Sequence, residues 1–102
     1  MTMLHTVNKS PFEKNSLESC LGHAISGSAV LLIEDGVYGA LQGSLVAETV
    51  KNAMENISIY ALSSDIDARG INHDRLINNI ELIDYSGFVN LAAEHKNVQS
   101  WL

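Results

Sequence analysis

Cysteine is nearly missing from this chain: Cys20 is the single thiol among 102 residues. One thiol cannot close an internal disulfide, which fits a reducing compartment. Basic residues are also scarce. Lys9, Lys14, Lys51, Arg69, Arg75 and Lys96 are scattered against 12 Asp and Glu, giving a net charge of -6. Without a basic cluster there is nothing to neutralise phosphates, so no direct contact with tRNA, DNA or an anionic membrane is expected. Long apolar runs are absent too. The longest, "AVLLI", falls far short of the ~20 residues of a membrane span. The opening "MTMLHTVNKSPF" has no basic stretch followed by an apolar one, so it does not read as a secretory signal. A cytoplasmic location is the expectation. Proline occurs once, at Pro11, and no Gly/Ser linker, repeat or low-complexity segment interrupts the chain.

What is present reads as one domain over residues 1–102. Hydrophobic residues make up 46% and charged residues 18%, a balance that folds rather than stays disordered. "MLHTVN" (Met3 to Asn8) is short and β-prone, a first strand. Ser10 and Pro11 form a turn, Ser10-Pro11-Phe12-Glu13 also fits a capping box with proline at the first helical position, and Ser16 is a second candidate cap. Leu17, Cys20, Leu21, Ala24 and Ile25 recur at helical spacing and end at "SGS". "AVLLIE" (Ala29 to Glu34) is apolar without alternation, as parallel strands covered on both faces are.

A glycine-rich "DGVYGALQGS" follows. Val46, Val50, Ala53 and Met54 then mark a second helix ending near Asn56, and "ISIYAL" (Ile57 to Leu62) a third strand. Ser64-Asp65-Ile66-Asp67 opens a short helix that Gly70 stops. "IELID" (Ile80 to Asp84) is a fourth strand. Asp84 or Ser86 caps a last helix carrying Phe88, Val89, Leu91 and Ala92. The tail "NVQSWL" closes on two large apolar residues. Alternating strands and helices predict a three-layer α/β/α fold with a mainly parallel sheet of four to five strands.

Cys20 has two readings. Its place on the apolar stripe argues for a small buried hydrophobe. Its place near a helix start, after the carboxyl end of strand 1, argues for a thiolate site. His23, three residues on, is a surface neighbour or a group that polarises the thiol. His5 reads as a core histidine within strand 1. His5, His23, His73 and His95 show no HxH or HExxH spacing, so no metal site and no cofactor are expected. "EDGVYGALQG" is neither GxGxxG nor a P-loop, and its glycines serve a tight turn. Glu34 and Asp35 at a strand end weakly suggest a phosphoacceptor, but no lysine closes strand 4.

Four blocks, "MLHTVNKSPFEKNSLESCL", "VLLIEDGVYGAL", "IYALSSDIDARGI" and "IDYSGFVNLAAEHKNVQSWL", together resemble the DsrH/TusB family of sulfur-relay subunits across nearly the whole chain. The resemblance implies a DsrE/DsrF/DsrH-like domain in a cytoplasmic heterohexamer. That assembly holds two copies each of DsrE/TusD-type, DsrF/TusC-type and DsrH/TusB-type subunits. It also implies that the main sulfur-carrying cysteine sits on the DsrE/TusD-type subunit and that persulfide passes to a DsrC/TusE-type carrier. The "HTVNKSPFEKNSLESCL" block is similar to the DsrH branch, which serves intracellular sulfur oxidation. The TusB role in wobble 2-thiouridine synthesis is the alternative. A match to DsrH-type members at Cys20 would make it an accessory persulfide site. A standalone thiol sulfurtransferase using Cys20 and a purely structural subunit are the other readings. Tyr38, Tyr85, Phe88 and Trp101 are expected to be partly uncovered, as aromatics at interface cores are.

Overall fold

The computed structural model describes residues 3–95 and 97–102. Lys96, one of the scattered bases, lies outside them. Five strands form one sheet: β1 Met3–Val7, β2 Ala29–Leu32, β3 Ser58–Leu62, β4 Glu81–Ile83 and β5 Asn97–Trp101. Their order is β4-β3-β2-β1-β5, and every neighbouring pair is parallel. Val30, Leu31 and Leu32 are all at 0% exposure, which is why this strand carries no polar alternation.

Strand pleating sorts the core into two layers. On one face Val7, Val30, Leu32, Ile59 and Ala61 pack under α1 (Ser16–His23), α2 (Ala47–Ala53) and α3 (Ser63–Ala68). On the other, Leu4, Ala29 and Leu31 meet Leu91 and Phe88 of α4 (Tyr85–Glu94). The fold is therefore three-layered, with a single helix on the second face among the described residues. Asp84 caps α4 by accepting from the Gly87 amide at 2.8 Å, so it, and not Ser86, fills the cap position. Gly70, at φ +66°, ends α3 while the Ile71 amide reaches back to the Ile66 carbonyl.

Two local expectations are corrected. The Ser10 capping box does not start a helix. Ser10 Oγ accepts from the Phe12 amide and its carbonyl takes the Glu13 and Lys14 amides, closing a turn; α1 begins only at Ser16. Strand β2 stops at Leu32, not Glu34, because Glu34–Ala40 coils into a 3₁₀ helix, with Glu34 itself at φ 51°. That helix presses on β1, and a Cβ at Gly36 would overlap the Val7 carbonyl oxygen. The tail supplies the fifth strand: β5 pairs with β1, Leu4 opposite Val98 and Val7 opposite Trp101. Of the four aromatics, Tyr85 is 70% exposed, whereas Tyr38 and Trp101 lean on the first core layer and Phe88 on the second.

Candidate functional site

Open parallel sheets hold ligands at the carboxyl ends of their strands. Here that end carries an ion-pair network and no thiol. Arg69, just past α3, donates to Asp35 through both Nε (3.0 Å) and Nη2 (2.9 Å), and its Nη1 reaches the Asp65 carbonyl. Asp65 in turn accepts from the Glu34 amide at 2.7 Å. The Asp35 carboxylate and the Glu34 backbone amide are thus occupied in pinning α3 to the 3₁₀ helix. Asp35 is not presented as a phosphoacceptor. His73 pairs with Asp67 at 3.0 Å on the surface, and His95 bonds the Leu91 carbonyl. Among the described residues no group of three His, Cys, Asp or Glu could hold a metal ion.

Cys20 lies on α1 facing the sheet, at 0% exposure, in the core layer with Leu17 and Val30. Burial pushes its thiol up to about 12. Desolvation disfavours the thiolate, and the helix start does not offset it. His23 does not polarise this thiol. Its Nδ1–H donates to the Ser19 carbonyl at 2.8 Å, and its ring leans on Trp101 with centroids 5.6 Å apart.

The polar feature that spacing did not reveal lies between β1 and β5. The Trp101 indole N–H donates to His5 Nδ1 at 3.1 Å, across 96 residues of sequence. His5 is buried, and desolvation with a smaller contribution from neighbouring His23 lowers its pKa. The ring is therefore neutral near pH 7, with Nδ1 as acceptor and its proton on Nε2. The signal available in the sequence was a histidine within an otherwise apolar strand and a tryptophan near the terminus.

This pair gives a pH prediction. A protonated His5 has no acceptor left for the indole N–H. Because its folded pKa is lowered, the unfolded chain takes the proton first. Stability is complete above the ordinary value of about 6.5 and is lost as pH falls towards the folded value. Trp101 is the sole tryptophan. Its emission should therefore shift on acidification below pH ~6.5 in wild type, and shift less there in His5→Gln. Identical titrations in both proteins would refute the coupling.

An all-parallel sheet between helix layers, with its thiol locked under α1, defines an open α/β protein. The chain belongs to the DsrH family: the model for DsrH-like proteins matches residues 9–98. TusB proteins of several Escherichia coli strains, K12 among them, are 37% identical over 99 residues, covering 97% of this chain and 100% of theirs. The fold is similar to that of the ychN protein from E. coli, with a TM-score of 0.85 at 16% identity over 98% of both chains. A Methanobacterium thermoautotrophicum protein of unknown function shares it with a TM-score of 0.75 at 13% identity, over 96% of this chain and 97% of that one. None of the described helices is long and apolar enough to cross a membrane.

Proposed function

We propose that this chain is a non-principal subunit of a cytoplasmic sulfur-relay complex, in the role that TusB holds in its family. The observation that carries this is the burial of Cys20: the only thiol of the chain lies at 0% exposure. Persulfide transfer needs an accessible thiolate to attack an outer sulfur. The cysteine that receives and passes sulfur therefore belongs to a DsrE/TusD-type partner, and this chain supports it within a heterohexamer that also contains a DsrF/TusC-type subunit.

Uncovered apolar groups fit such a partnership. Tyr85 (70% exposed) and Val89 (54%) stand one helical turn apart on α4. The relatives at 37% identity favour the branch that supplies sulfur for wobble 2-thiouridine, by way of a TusE-type carrier. The oxidative branch is the second reading, since the matching family model is that of DsrH-like proteins.

Co-expression with the two partner subunits, followed by native mass spectrometry, tests assembly. The expected product contains all three chains in equal numbers. A chain that stays alone beside its assembled partners would refute the proposal. Deleting the gene should lower tRNA 2-thiouridine. Normal 2-thiouridine with impaired sulfur oxidation would move the chain to the oxidative branch.

A further inference from the structure

A groove of about 380 Å³ opens between β1, β5 and the carboxyl end of α1. It runs along the β1–β5 edge, from Met3 and Asn97 to Trp101. Its walls are apolar, formed by Met3, Ile25 and the Trp101 indole. Two polar groups line it and are themselves more than nine-tenths buried: Ser28 at 1% exposure and His5 at 4%. Among the described residues the Ser28 hydroxyl has no hydrogen-bond partner. His5 Nδ1 is taken by Trp101, which leaves Nε2–H to donate. The remaining lining residues, His23, Asn97 and Gln99, bring no Asp, Glu, Lys or Arg among the described residues.

We propose that this groove binds a small flat aromatic ring bearing a hydrogen-bond-accepting oxygen and no positive charge, of the aromatic carboxamide or carboxylate class. The ring rests on Trp101 and Ile25, and its oxygen accepts from Ser28 Oγ–H and His5 Nε2–H. The volume lies within the usual range of small-molecule pockets, and apolar walls around a few placed polar groups are their usual make-up. A buried hydroxyl without a partner is costly to the free fold, and an acceptor from outside removes that cost. A cation is disfavoured because it would be desolvated with no carboxylate to receive it. The assignment does not depend on the sulfur-relay reading.

Trp101 makes the test direct, since the sole tryptophan gives one indole N–H resonance. The ¹⁵N-labelled full chain is titrated with benzamide, benzoate and benzylamine. Saturable shifts of the Trp101 indole peak are expected with benzamide and benzoate, with Kd of order 1 mM for ligands this small. Benzylamine should be at least about tenfold weaker, the cost of one unmade hydrogen bond to a charged group. Ser28→Ala should weaken benzamide roughly fivefold while leaving Tm unchanged or raising it by about 4 °C. No saturation by either acceptor ligand, or benzylamine binding as well as they do, would overturn the assignment. Undiminished benzamide affinity in Ser28→Ala, or a lowered Tm in that variant, would also do so, the second by showing that the hydroxyl serves the fold.

Discussion

Gly36→Ala is expected to destabilise the fold by about 3 kcal/mol or more, the upper range for overpacking against an unyielding neighbour. The added Cβ would overlap the Val7 carbonyl oxygen and lie 2.9 Å from its carbonyl carbon. Neither atom can retreat freely. The Val7 carbonyl already accepts the Ile33 amide at 3.0 Å, and the Gly36 amide is bound to the Ile33 carbonyl at 2.8 Å. Relief would have to unpick the junction between β1, β2 and the 3₁₀ helix, and with it the ledge on which Asp35 meets Arg69. For a domain of this size, a loss of about 3 kcal/mol lowers Tm by at least about 12 °C. Gly22→Ala is the control. That position lies in α1, where an added Cβ would meet nothing within 4 Å, and alanine there should stabilise by about 0.5–1 kcal/mol. Urea unfolding of both variants checks the pair. A Gly36→Ala midpoint equal to wild type would show that the junction yields.

The second large effect concerns Cys20. With its thiol pushed from 9.0 up to about 12, the thiolate fraction at pH 8 falls roughly a thousandfold, before burial blocks access as well. A disulfide reagent such as DTNB should leave the native chain unlabelled over hours at pH 8 and react within minutes once guanidinium unfolds it. The same shift ties stability to alkaline pH. The folded value lies above the unfolded one, so between pH 9 and 12 the unfolded chain gives up the proton while the folded chain keeps it. Stability from this group is complete below pH 9 and lost as pH rises, on the order of 1.4 kcal/mol per pH unit in that window. Cys20→Ala should flatten that part of the profile. In the reconstituted complex, sulfur transfer to a TusE-type carrier should survive Cys20→Ala nearly intact. Transfer abolished in a fully assembled complex would instead make Cys20 a relay thiol that assembly exposes.

The type of β1 to β4 and of the four helices, and their succession along the chain, were legible in the sequence, though not the order of the strands in the sheet. Their signals are local: an unalternating "AVLLI" can only be a doubly covered strand or a buried helix, and the flanking helical stripes decide which. Gly70 and Asp84 act through their own backbone neighbours, so they too could be read directly. β5 was not legible. "NVQSW" carries no clear apolar alternation because it is an edge strand with mostly exposed side chains, and only pairing with β1 defines it. At Ser10 the sequence left two local readings open, a turn and a helix cap. The backbone there closes the turn before α1 begins.

For Cys20 the sequence determined a position, on an apolar stripe near a helix start, and left two chemistries open. The tertiary structure decided between buried and exposed surroundings in this chain, because the stripe packs flat on Val30 and its neighbours and excludes the water a thiolate needs. The groove was beyond any reading of spacing. His5 and Trp101 stand 96 residues apart, and Ser28 sits just before β2 with nothing to mark its hydroxyl as unpaired. Three parallel strands brought side by side, with β5 returned to the edge next to β1, place those groups around one opening. Composition and periodicity fix what a segment becomes, whereas the pairing order of strands distant in sequence fixes which side chains meet.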